Sequence, residues 1–141
     1  VADPSAIVMA VLQGVPGLTG GVYDGQVPDT IPTTGQGKFV KPYAVLWAGT
    51  GDDIPAERDL TRLSAADVLD WRPQVTVVGP SGAVCRDGAR AVLAALRNLH
   101  VGGGWLIPDA DHNRQLSPIP DNTVTPVRMF MPLRFRLVTT Q

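Results

Sequence analysis

The sequence has little of what ties a chain to a membrane, an oxidising compartment or a common catalytic chemistry. It holds one cysteine, Cys85, which permits no internal disulfide and no cysteine-based zinc site. Its longest apolar run, 7–12, spans six residues, against the ~20 needed to cross a bilayer. No basic residue precedes that run, so a secretory signal is not expected. The two histidines, His100 and His112, leave little general-base capacity near neutral pH. A formal net charge of −1 argues against a general nucleic-acid binder, which would carry a basic surplus.

What is present suffices for one globular domain over 1–141. Apolar residues make up 44% of the chain, too many for a disordered segment and enough for a core without metal or disulfide. The 15 glycines and 13 prolines fill about one position in five, against roughly one in eight on average, so turns and extended connections are many. Charge is unevenly distributed. Residues 1–70 hold nine acids and four bases, a net −5, and residues 71–141 hold four acids and eight bases, a net +4. Such a division suits two surfaces of opposite sign.

The pattern predicts a short first helix, with Asp3 as its cap and Pro4 in its first turn. Ile7, Val8, Val11 and Leu12 lie on one face, and Gly14 and Pro16 stop it. A short strand is expected at Val22-Tyr23, an extended loop over 24–42, a strand over Tyr43–Ala48, and a long mobile loop over about 49–69. Residues 70–78 alternate as a half-buried strand, with Pro73 marking an edge or an end. Ala83–Leu99 reads as a helix with Cys85, Ala89, Val92, Leu96 and Leu99 on its apolar stripe and Ser81 as its cap. Trp105–Ile107 and 127–139 read as strands, the last alternating strictly. The expected fold is α+β, a mainly antiparallel β-sheet with two α-helices packed on one face.

Few constellations invite chemistry. Asp109, Asp111 and His112 have metal-ligand types, but no fourth ligand is apparent, and a polar turn with Asp bonding its own backbone explains them. Hence no metal site and no cofactor are expected. His100 falls at the helix end, where a cation suits the dipole. Gly102-Gly103-Gly104 follows a helix where a phosphate cradle would precede one, so these glycines are read as ending the helix. Cys85 on the apolar stripe reads as a small buried hydrophobe. Arg128, Arg134 and Arg136 with Phe130 form one strand face that suits nucleic acid or a subunit contact.

Val22-Tyr23-Asp24-Gly25-Gln26-Val27-Pro28, after a short helix, resembles the tail terminator proteins of long-tailed phages, especially those infecting actinobacteria. Lys41-Pro42-Tyr43-Ala44-Val45-Leu46 resembles that family's Pro-Tyr-apolar strand. Leu60-Thr61-Arg62-Leu63-Ser64 and Gln74-Val75-Thr76-Val77-Val78-Gly79 resemble its loop and next strand, followed by the Arg90–Leu99 helix and the closing strand. The order and spacing of these segments, over nearly the whole chain, carry the resemblance. The loop at 29–38 is longer than is usual in that family.

The resemblance implies a non-enzymatic structural protein of the virion, assembled in the host cytoplasm. It implies a homo-hexameric ring at the head-proximal end of the tail, which caps the tail tube, stops its polymerisation and meets the head–tail connector. Genomic DNA would pass through without specific binding, and no membrane is involved. A ring closes through two unlike patches on each subunit. Contacts with a neighbouring subunit or the tail tube are expected from Asp52, Asp53, Glu57, Arg58, Asp59 and Arg62 in the charged loop, and from Arg86 and Arg90 on the helix. A head–tail joining (neck or stopper) protein is the nearest alternative, and a small nucleic-acid-binding module is a more distant one.

Overall fold

The computed structural model describes residues 4–28, 30–34, 39–48, 68–101, 104–123 and 126–140. In chain order these form α1 (Pro4–Gln13), β1 (Val22–Asp24), β2 (Thr33–Thr34), β3 (Phe39–Val40), β4 (Tyr43–Trp47), β5 (Val68–Trp71), β6 (Gln74–Gly79), α2 (Gly82–Leu96), β7 (Leu99–Val101), β8 (Gly104–Pro108), α3 (Ala110–Arg114), β9 (Ile119–Asp121) and β10 (Arg128–Thr140). The fold is α+β. An eight-stranded sheet runs in the order β1-β4-β6-β10-β8-β7, with β5 and β9 also paired to β10, and β2 and β3 make a separate two-stranded ribbon. Its pairings are antiparallel except β1 with β4.

Period-two alternation on β10 drives Met131, Leu133, Phe135 and Leu137 into the core, while Arg134 and Arg136 point outward and stay exposed. Ala44 and Leu46 on β4, and Val75 and Val77 on β6, join the same core. Two helices cover this face. Val8 and Leu12 of α1 and Cys85, Ala89, Val92 and Leu96 of α2 are its contribution, at the three- and four-residue spacings of an amphipathic helix. Burying a Val or Leu side chain stabilises by about 1.5–3 kcal/mol, so these stripes fix where both helices sit.

Local chemistry sets the ends of α2. Ser81 is extended (φ −145°) and its hydroxyl accepts the Val84 N–H at 3.3 Å, meeting one otherwise orphaned donor. At the other end the helix stops three residues before the predicted position. Asn98 takes φ +58°, a left-handed conformation that Asn tolerates better than most residues, and its N–H donates to the Leu106 carbonyl at 2.9 Å. Leu99 and His100 therefore belong to β7, and His100 caps no helix. Nor do the glycines end it: Gly104 opens β8, and Gly102 and Gly103 lie outside the described residues.

Three further expectations need correction. The single strand predicted over 70–78 is two strands, β5 and β6, parted at Arg72-Pro73 because proline has no N–H for the ladder. The predicted loop over 49–69 ends sooner, since Val68 and Leu69 are already in β5; its other residues lie outside the described ones. The segment 24–42 is not all loop, because β2 and β3 pair within it. Gly20 anchors this segment. Its N–H donates to Pro42 O at 2.8 Å, and a Cβ there would meet Lys41 O, Pro42 O and Pro32 Cγ, each at 3.0 Å.

α3 was not anticipated. On one edge β10 pairs with β9 at 128–130 and with β8 at 135–136. Between these stretches α3 takes the place of a strand. Asn113 Nδ2 donates to Arg134 O (3.0 Å), Asn113 Oδ1 accepts the Arg134 N–H (2.9 Å), and the Asp109 N–H donates to the same carbonyl at 2.9 Å. Pro132, with no N–H to offer, sits on this edge, and its carbonyl lies 3.0 Å from His112 Nε2.

α2 packs closely on β6. A Cβ on Gly88 would come 2.9 Å from Val77 Cγ1, on a fully buried β-branched side chain that has little rotamer freedom. Gly88→Ala gains up to ~1 kcal/mol of helix propensity but overpacks the core at about 1–3 kcal/mol. We expect net destabilisation, read as a lower midpoint in denaturant unfolding with an unchanged slope.

Candidate functional site

The helix-free face of the sheet carries the features that set this chain apart. Tyr43, Val45 and Trp47 of β4, Thr76 and Val78 of β6, and Arg128 and Phe130 of β10 alternate onto it, and with Val27 and Asp121 they line an open groove of about 190 Å³. Tyr43, Val45 and Val78 make a small second core with Val40. Tyr23 packs edge-on against Tyr43, with ring centroids 5.8 Å apart at 86°, a favourable geometry for two aromatic quadrupoles.

A polar chain closes one end of the groove. Arg128 donates from Nε to Asp121 Oδ2 at 3.0 Å and from Nη1 to the Tyr43 hydroxyl at 2.8 Å. Asp121 also accepts from the hydroxyl and the backbone N–H of Thr123. These Thr123 bonds, followed by the Arg128 guanidinium, hold the Asp121 carboxyl below its ordinary pKa. Burial pushes the Tyr43 phenol up, with Arg128 opposing it. Arg128 is thus committed within the fold, so it does not form one open nucleic-acid face with Arg134 and Arg136 as the sequence suggested.

Arg134 and Arg136 instead line a second cleft, of about 420 Å³, with Arg72, Gln74, Asp109 and Phe135. The outer side of the β7–β8 hairpin is apolar. Trp105 and Ile107 are 58% and 56% exposed, and the His100 ring packs against Trp105 tilted at 57°, with 4.8 Å between centroids.

The Asp109–His112 segment has a structural explanation. The Asp109 carboxylate accepts the His112 N–H at 3.3 Å as the cap of α3. A carbonyl oxygen only accepts, so the 3.0 Å contact from His112 Nε2 to Pro132 O requires the proton on Nε2. Among the described residues no three of His, Cys, Asp and Glu gather as ligands. Cys85 is fully buried, its thiol reaches Val77 O at 3.5 Å, and burial pushes its pKa up to about 11, which disfavours the reactive thiolate.

Of the residues expected at an interface, Arg86 and Arg90 are exposed on α2. Arg90 pairs with Asp87 one turn away at 3.0 Å. Both lie on the helical layer, so the structure does not bring them to the grooved face. Asp52, Asp53, Glu57, Arg58, Asp59 and Arg62 lie outside the described residues. The sequence reading missed Tyr43, Asp121 and Arg72 as members of these sites. Alternation marked Arg72 as outward-facing but gave it no partner, and Tyr43 read only as one residue of an apolar strand.

Protein-family models give no match to the chain, and neither do curated proteins. No helix among the described residues is long and apolar enough to cross a membrane.

The Asp121 bonds predict a pH dependence. A carboxyl whose pKa is lowered by folding stabilises the fold fully above its unfolded value, about 4. That stabilisation is lost as pH falls through the lower folded value. Asp121→Asn should flatten this part of the acid limb in unfolding midpoints measured from pH 6 to pH 2, with Arg128→Gln as the companion variant.

Proposed function

We propose that this chain is the tail terminator of a long-tailed phage, a structural virion protein with no catalytic role. Six copies form a ring at the head-proximal end of the tail. The ring caps the tail tube, stops its polymerisation and presents a surface to the head–tail connector, and genomic DNA passes through its centre. The reading rests on the order of the motif segments along the chain. Val22–Pro28 runs through β1 and the turn after it, Lys41–Leu46 runs into β4, and Gln74–Gly79 coincides with β6. Arg90–Leu99 covers the second half of α2 and the start of β7, and the closing strand is β10.

The surface supports a role in assembly. Trp105 and Ile107 leave an apolar patch wet in a single subunit, as patches reserved for a partner do. The groove beside Tyr43 is a differently shaped surface on the same chain, and a closed ring needs two unlike patches per subunit.

Electron microscopy of particles made without this protein tests the proposal. Overlong, headless tails are expected. Tails of normal length lying apart from filled heads would overturn it in favour of a joining protein, and intact virions would overturn both.

A further inference from the structure

The register of β10 against β5 and β6 places two guanidinium groups opposite each other. Trp71 pairs with Leu137 and Gln74 with Arg134. The Phe135 N–H donates to Pro73 O at 3.0 Å, so the register runs unbroken through the proline. Arg72 therefore stands across from Arg136, and Gln74 across from Arg134. Pro73 and Phe135 are buried beneath them, while Arg72, Arg134 and Arg136 are exposed above. Directly opposed residues on one sheet face have Cβ atoms ~4.5–5.5 Å apart, where like charges repel. The pair concentrates positive charge at one point of this face.

We infer that this block is a binding site for a phosphate-type oxyanion, free or within a phosphodiester backbone. Its walls are the residues of the 420 Å³ cleft, with three guanidinium groups against the one carboxylate of Asp109. Arginine's planar fork matches the paired oxygens of a phosphate. Arg72 and Arg136 also engage other groups, but each guanidinium has five donors, so an anion can share them. The platform is rigid. Asn113 holds both the N–H and the carbonyl of Arg134, so the fork at that position is presented from a fixed backbone. Asp109 at the rim turns one oxygen to the His112 N–H.

This site stands apart from the tail-terminator proposal, because it is read on the purified chain and the tail phenotype is read on particles. Thermal unfolding is followed in inorganic phosphate and in chloride at matched ionic strength. Phosphate should raise the midpoint of the unaltered chain and of Arg97→Gln, an exposed arginine elsewhere, by mass action on the folded state. Arg72→Gln and Arg136→Gln should lose most of that shift, and Arg136→Lys, which keeps the charge without the fork, should keep only part of it.

Titration with a short DNA duplex then separates the sources. Binding weakened about tenfold by either glutamine variant, and competed by phosphate, assigns a phosphodiester. A phosphate shift without DNA binding assigns the free anion. An absent phosphate shift, a shift kept in both glutamine variants, or an equal shift from polyglutamate would overturn the assignment.

Discussion

Strand β10 must satisfy backbone donors and acceptors along both edges for thirteen residues, and the rest of the sheet is arranged around that demand. β6 and then β5 supply one edge, on either side of Pro73. β9 and β8 supply the other, with a gap between them that α3 fills through Asp109, His112 and Asn113. Each such bond is worth only about 0.5–1.5 kcal/mol net, but an unmet buried group costs more. Pro132 falls in the gap, where a missing donor harms no ladder. The same strand brings four inward side chains to the core beneath both helices, so one element sets the topology and the hydrophobic centre together.

Its outward residues divide the solvent face in two. At the start of β10, Arg128 is drawn into the Tyr43–Asp121 network and becomes part of the fold. Nearer the end, Arg134 and Arg136 meet Arg72 and Gln74 across the strand. Three arginines on one side of the strand thus have two different roles, decided by which neighbour the register supplies. A carboxylate neutralises the first, and a second guanidinium faces the last. An apolar hairpin face bearing the exposed Trp105 and Ile107 lies next to it, with Ile107 paired to Arg136.

Much of the frame was legible in the sequence. The alternation of β10, the stripe of α2 and the Ser81 cap are local signals, and each has a single physical reading. What stayed hidden depends on distant neighbours. α3 has five residues and no apolar stripe, and its anchors are side-chain bonds to a strand far along the chain. Asp109 and His112 therefore looked like ligands or a turn. Leu99 continues the helical spacing of Leu96, and only the left-handed Asn98 takes it out of the helix. Pro73 marked a strand boundary, yet the sequence could not show that the register continues past it and sets Arg72 against Arg136. Tyr43 appeared only as one apolar residue of a strand, because its partners Arg128 and Asp121 come from the other end of the chain.

The most direct test of this account is hydrogen exchange at the Arg134 amide, whose only described acceptor is the Asn113 side chain. In the unaltered chain it should be protected to the same degree as amides of β10 that lie within a ladder. Asn113→Ala should speed its exchange by about tenfold or more while leaving Met131 and Leu133, on the β6 side, unchanged. Rapid exchange at Arg134 in the unaltered chain, or protection indifferent to Asn113, would contradict the claim that α3 completes the sheet.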